Sequence, residues 1–277
     1  MMQRRKFMGA SLAASALAAG TRVTAHAATG ATQGSPQDMK DDSGREYYQL
    51  RRYQLRSGSG VKLANEYCEQ AFIPAANRLG IRPVGVFQAV VGDRGPSLYV
   101  LVPSTSLETL VHLDARLAAD AEYARAAAGF IEAPATAPAY ERMESSLMIA
   151  FERWPRLQAP AAAATHGARA FELRTYESPS DRDHVRKVEM FNNGEFEVFR
   201  HAGFQPVFFG DTLIGPRLPN LTYMLAFDDL SSRNRMWSAF GGSPEWKKLS
   251  SDPRYAFEEI VSNITNLILS PAGYSQI

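Results

Sequence analysis

Two short strings hold the side chains best suited to binding or proton chemistry: Gln49-Leu-Arg-Arg-Tyr53 and Glu172-Leu-Arg-Thr-Tyr176. Side chains alternate across a strand, so Arg51 and Tyr53 share a face with Gln49, and Arg174 and Tyr176 share one with Glu172. A guanidinium offers a fork of donors to carboxylates and carbonyls, and a phenol can donate or accept. Tyr48, Leu50, Phe171 and Leu173 form the opposite, apolar set, which suits a helix-covered face. Arg51, Tyr53, Glu172, Arg174 and Tyr176 are therefore expected to converge on an interior cavity fit for an anionic or hydrogen-bonding ligand. The competing account makes Glu172, Arg174 and the tyrosines a structural network that satisfies itself. No residue is assigned a catalytic role.

Other reactive types add little. Outside the N-terminal segment the histidines are His112, His166, His184 and His201, and none has metal-ligand spacing, so no metal is expected. His201 precedes Ala202-Gly203 at a helix C-terminus, where an imidazolium suits the helix dipole; it is the one candidate kept for heme or proton transfer. Cys68, the single cysteine, excludes an intramolecular disulfide or a cysteine-clustered zinc site and falls on an apolar helix stripe, as a buried inert thiol does. Gly92-Asp-Arg-Gly95 sits in a hairpin rather than opening a helix, so it is not a phosphate loop. No nucleophile elbow is present. No cofactor is expected.

The elements that must position these residues occur twice. Leu50/Leu173, Arg51/Arg174, Tyr53/Tyr176, Gly80/Gly203, Pro83/Pro206, Leu107/Leu230 and Tyr123/Trp246 are each 123 residues apart. Matching Tyr99 to Tyr223 shifts the offset to 124, which calls for one extra residue in the second hairpin. Chance does not hold one offset over so long a stretch; the chain is a tandem duplication. Periodicity predicts strand 46–55, helix 61–79 kinked near Pro74, strands 83–91 and 97–102, helix 106–128 and strand 142–151. The second copy reads as strand 169–177, helix 181–202, strands 205–210 and 220–227, helix 230–250 and strand 259–269. Gly241-Gly-Ser-Pro-Glu245 marks a break and restart in that last helix, with Ser243 as the cap. This is the ferredoxin-like order, an antiparallel sheet with both helices on one face. The bare faces of two such sheets can cover each other, which gives an α+β fold: two βαββαβ repeats packed sheet to sheet as an intrachain barrel.

Glu172-Leu-Arg-Thr-Tyr176, Met236-Trp-Ser-Ala-Phe240 and Ser243-Pro-Glu-Trp-Lys247 resemble the NIPSNAP family. The resemblance spans 46–270. It is looser in the first copy, where Gln49 replaces the opening glutamate and Asp114 and Tyr123 stand at the tryptophan positions. It implies a dimeric α+β-barrel fold, here with both halves in one chain. It assigns no reaction, although related barrels include cofactor-free monooxygenases and heme-degrading enzymes. Three functions fit: an exported protein binding a small polar or anionic molecule in the inter-sheet cavity; a cofactor-independent oxygenase, isomerase or lyase; or an envelope protein–protein interaction module.

Composition narrows the partners. Of 277 residues, 45% are apolar and 21% charged, and the net charge of +1 lacks the basic excess of a nucleic-acid binder. No apolar run is long enough to span a membrane. A small-molecule ligand and a homo-oligomeric state are the partners left open. Residues 1–27 read as an export signal: Arg4-Arg5-Lys-Phe7 resembles a twin-arginine motif, an alanine-rich segment follows, and Ala25-His-Ala27 is a small-x-small cleavage site. Removing them takes away Arg4, Arg5, Lys6 and Arg22, leaving 26 basic against 29 acidic residues, a net charge of −3. Residues 28–44 read as a flexible tether, 45–152 and 169–277 as the two domains, and 153–168 as their linker. The protein is expected to be exported, to the periplasm or beyond. Changing both Arg4 and Arg5 to lysine should leave uncleaved precursor in the cytoplasm, and N-terminal sequencing of exported protein should start near Ala28. Normal export of the double variant would exclude the twin-arginine route.

Overall fold

The computed structural model describes residues 44–277. The expected signal and all of the expected tether except Gly44 lie outside the described residues. The first repeat begins with β1 (Tyr47–Gln54) and α1 (Ser59–Tyr67). A π-turn (Cys68–Phe72) leads into α2 (Ile73–Arg78). Then come β2 (Gly85–Val91), β3 (Ser97–Ser104), α3 (Leu107–Val111), α4 (Leu113–Ala118), α5 (Ala121–Ile131) and β4 (Arg142–Ala150). A connecting α6 (Ala161–Ala164) precedes the second repeat. That repeat runs β5 (Ala170–Glu177), α7 (Asp181–Met190), a π-turn (Phe191–Glu195), α8 (Phe196–His201), β6 (Gln205–Ile214) and β7 (Asn220–Phe227). It ends with α9 (Leu230–Gly242), α10 (Pro244–Ser250), α11 (Phe257–Ile260) and β8 (Asn263–Pro271).

Local chemistry explains the breaks. Ser106 caps α3 by accepting from the Thr109 N–H, and Ser243 caps α10 by accepting from the Trp246 N–H. The helix expected over 106–128 is instead three pieces, because Asp120 accepts from the Glu122 and Tyr123 N–H groups and starts α5 afresh. Pro74 directly follows the π-turn, inside a helical run that continues from Ser59 to Arg78. The π-turns fall at equivalent positions, 68–72 and 191–195, so the widened turn belongs to both copies.

Eight antiparallel strands close into one barrel in the order β1-β3-β2-β8-β5-β7-β6-β4. Each repeat supplies four adjacent strands, and the seams are β2 with β8 and β4 with β6. The register corrects the hairpin offset. Arg51 lies opposite Val100 and Arg174 opposite Tyr223, so the spacing of 123 runs unbroken through β3 and β7. Tyr99 and Tyr223 are not counterparts: Tyr99 faces Arg52 inside the barrel, and Tyr223 lies against the helices. The spacing changes only at the last strand, where Met143 and Ile264 oppose Tyr53 and Tyr176.

The assignment of strand faces is also corrected. Tyr48 and Phe171 are fully buried inside the barrel with Phe87, Met148, Phe208, Met224, Leu269 and Ile277; Leu173 is buried there too, and Leu50 packs against the cluster. Arg51, Tyr53, Glu172, Arg174 and Tyr176 therefore point outward, beneath the helices. Between each sheet and its helices lies a further core: Tyr67, Phe72, Leu113 and Phe130 in the first repeat, and a mass of phenylalanines in the second. Both faces of every sheet are thus covered.

Isolating residues 45–152 would bare the inner face of the sheet and unpair β2 and β4. Each buried Leu- or Phe-sized side chain contributes about 1.5–3 kcal/mol, so the fragment should dimerise, aggregate or melt well below the intact chain. Sedimentation and thermal unfolding test this. A monodisperse monomer that unfolds cooperatively would contradict the shared barrel.

Candidate functional site

The barrel is apolar at one end and polar at the other. Along β1, Tyr48 and Leu50 give way on the same face to Arg52 and Gln54; along β5, Phe171 and Leu173 give way to Thr175. A cavity of about 650 Å³ opens there. Four arginines (Arg52, Arg94, Arg142, Arg217) and two carboxylates (Asp93, Glu144) line it, an excess of two positive charges. Gln54, Ser146, Thr175, Asn220, Thr222 and Thr265 add hydroxyls and amides around a floor of Leu50, Leu173 and Leu267.

Arg52 organises this mouth. Its Nε donates to Asp93 at 2.9 Å, its Nη2 also reaches Asp93, and its Nη1 donates to Glu144 at 3.1 Å. Tyr99 donates its hydroxyl to Asp93 at 2.6 Å. Burial pushes the Asp93 carboxyl up, but the hydrogen bonds from Arg52 and Tyr99 outweigh it and leave the pKa below the ordinary 3.8. Burial, and then the bond to Asp93, raise the Tyr99 phenol. The hairpin that delivers Asp93 needs Gly92, whose φ is 97° and whose Cβ would collide with the Asn266 carbonyl. Sequence reasoning missed Arg52, Asp93, Tyr99 and Glu144. The available signal was that Arg52 and Thr175 follow Leu50 and Leu173 on the same strand face.

The five residues expected to meet in one cavity are divided between the two helix-side layers. In the second repeat Glu172 is fully buried and accepts from Arg174 Nη1 (2.9 Å), Arg233 Nε (2.8 Å) and Trp237 Nε1 (2.7 Å). Arg174 also donates to the Tyr176 hydroxyl at 3.0 Å and lies 4.6 Å from the Trp237 ring centre. Burial raises the Glu172 carboxyl, yet the bonds from Arg233 and Trp237 and the nearby arginine charges bring it below its usual value. Next to this network, Lys187 Nζ and Glu195 form a buried ion pair at 2.8 Å across the π-turn.

The first repeat makes the same buried arginine in another way. Gln49 stands in place of Glu172 and accepts from Arg51 Nε at 2.9 Å; the carboxylate comes from Asp114 on α4, 2.8 Å from Arg51 Nη2. Asp114 occupies the position equivalent to Trp237. Beside this pair lies a cavity of about 390 Å³ walled by Tyr53, Tyr67, Tyr123, Phe130 and Tyr140. Burial pushes the Tyr53 phenol up to about 12, with Arg51 opposing the shift.

The remaining candidates are dispersed. His201 is exposed at the end of α8, and His184 is buried with Nε2 2.7 Å from Asp211. Cys68 is buried, and burial raises its thiol pKa to about 12. Among the described residues no three His, Cys, Asp or Glu side chains are grouped to hold a metal ion, and no helix is long and apolar enough to cross a membrane.

Comparison with known proteins supports the same architecture. A candidate monooxygenase from Fusobacterium nucleatum superposes with a TM-score of 0.54 at 7% identity, covering 82% of this chain and 92% of its own. One from Lactobacillus acidophilus gives 0.53 at 8%, covering 82% and 94%. These likenesses establish the fold. A NIPSNAP-like domain protein from Burkholderia xenovorans aligns at 20% identity over 39% of this chain and 88% of its own, with a TM-score of 0.35. No curated protein sequence matches the chain. The NIPSNAP family model matches twice, over residues 48–153 and 171–276, and the chain therefore belongs to the NIPSNAP family, as a tandem pair of its domains.

Proposed function

We propose that this chain is an exported binding protein that takes a small polar or anionic molecule into the mouth of the inter-sheet barrel. The observation that carries this reading is the excess of arginine around a cavity large enough for a metabolite. Arg52 is committed to Asp93 and Glu144 and holds the wall in place. Arg94 and Arg142 are exposed at the rim and supply the charge that meets the ligand, while Arg217 Nη1 reaches Thr265 at 2.7 Å and Glu177 at 3.4 Å, so its charge is already met within the protein. Asp93 is held ionised and Tyr99 held neutral, so neither is poised to exchange protons near pH 7. That favours binding over acid–base catalysis. The twin-arginine-like string at Arg4-Arg5 and the small-x-small site Ala25-His-Ala27, read as an export signal, support a site of action outside the cytoplasm.

Calorimetric titration with inorganic phosphate and with succinate tests the reading on the mature protein. At least one should bind, and Arg142→Gln, a change at an exposed position, should weaken it about tenfold, equivalent to about 1.4 kcal/mol. Absence of binding by both anions, or binding indifferent to Arg142→Gln and Arg94→Gln together, would sink it.

Acid titration tests the wall. The folded pKa of Asp93 lies below its unfolded value, so the contribution of Asp93 is present above the unfolded pKa and lost as pH falls through the folded one. Wild type should lose melting temperature as pH falls from about 5 towards 3, and Asp93→Asn should lose less. Parallel curves for the two proteins would show that Asp93 is not held as described.

A further inference from the structure

The helix side of the first repeat carries a second cavity, and its chemistry differs from that of the barrel mouth. Its walls are rings. Tyr67 stacks on Phe130 with centroids 4.1 Å apart, and Tyr53 meets Phe130 edge-on at 5.7 Å. The Tyr67 and Tyr123 hydroxyls pair at 2.9 Å. Arg51, only 3% exposed, sits in the wall, and among the described residues its ion-pair partner is Asp114, whose side chain is 73% exposed. An aspartate so open can be exchanged for an incoming carboxylate, turning to solvent while Arg51 keeps a charge partner.

The second repeat shows what a closed version looks like. There the position equivalent to Asp114, on the cavity wall, is Trp237, and those equivalent to Val86, Val100 and Cys68, in the adjoining core, are Phe209, Tyr223 and Phe191. Phe209 and Tyr223 stack at 5.3 Å, and Phe191 packs on Tyr223 at 5.5 Å. The arginine there is sealed by a carboxylate on its own strand that is fully buried. An exposed carboxylate in the first repeat and a buried one in the second make one layer accessible and the other a packed core.

We propose that this first-repeat cavity binds a flat aromatic carboxylate of one or two rings. The carboxylate displaces Asp114 from Arg51, and the ring lies among Tyr53, Tyr67 and Phe130. Aromatic walls prefer stacked or edge-to-face partners, and a guanidinium accepts a carboxylate in two-point geometry. A cavity of 390 Å³ limits the ring count. The site is separate from the barrel mouth, since Arg51 and Arg52 point to opposite faces of β1.

Fluorescent naphthoate is the probe, with its neutral methyl ester as the comparison, titrated into the mature protein. Naphthoate should bind at least tenfold more tightly than the ester. Ala118→Phe, at an exposed position on the cavity rim, should weaken naphthoate about tenfold or more without lowering the melting temperature. Asp114→Asn should tighten it several-fold by removing the competing carboxylate. Equal binding of acid and ester, or unchanged affinity in Ala118→Phe, overturns the assignment. So does binding lost with Arg142→Gln and kept in Ala118→Phe, which would put the probe in the barrel. Because the barrel reading is judged on phosphate and succinate, either site can fail without the other.

Discussion

Closure of the barrel is the constraint on which everything else depends. A four-stranded sheet with helices on one face leaves the other face bare and two edges unpaired, and here the bare face is lined by Tyr48, Phe87, Leu101 and Met148, which must be kept from water. Here the second copy answers both needs. Its inner face meets Tyr48, Phe87 and Met148 with Phe171, Phe208 and Met224, while β8 and β6 pair the free edges of β2 and β4. The inward side chains are apolar at one end because two sheets pressed together exclude water there. Where the strands reach the other end, the inward positions turn to Arg52, Gln54 and Thr175, and the packed interior becomes a wet, charged mouth.

The outward faces obey a second requirement: a guanidinium nearly removed from water must keep a carboxylate, since an unpaired buried charge costs several kcal/mol. Each copy meets it once. The second uses Glu172 on the strand and closes Arg174 under Trp237; the first uses Gln49 on the strand and takes its carboxylate from Asp114, where that tryptophan would stand. These two departures of the first copy from the family pattern are thus one compensated exchange. Restoring glutamate at 49 alone would place two carboxylates on Arg51, and restoring tryptophan at 114 alone would leave Arg51 with an amide.

Much of this was legible from residue spacing. The 123-residue offset, the element order and the sheet-to-sheet pairing follow from local patterns that a closed barrel preserves. The direction of the faces did not follow. Alternation says which residues share a face, not which face lies inside, and when both faces are buried the usual apolar-in, polar-out rule loses its reference. Arg174 and Glu172 looked like cavity residues because a polar cluster suggests water, but the helices bring Arg233 and Trp237 to satisfy them. Residue type matches Tyr99 to Tyr223, whereas the strand register makes Val100 the counterpart of Tyr223, since they oppose Arg51 and Arg174. Asp93 was hidden in what read only as a turn, since nothing local reveals that Arg52 lies above it.

Fusion of the two copies has a physical consequence for function. In a two-fold symmetric dimer every substitution appears in both halves, so a change that fills one helix-side layer fills both. One chain with two copies is free of that coupling. Here the second layer has been packed with Phe191, Phe196, Phe199, Phe209 and Tyr223 and encloses a Lys187–Glu195 pair, while the first keeps Cys68, Val86 and Val100 at positions where the second has rings. The closed layer buries more aromatic rings, while the first is built more from aliphatic side chains and alanines. The two layers thus differ in how they are filled while sharing one barrel, joined through the β2–β8 and β4–β6 seams.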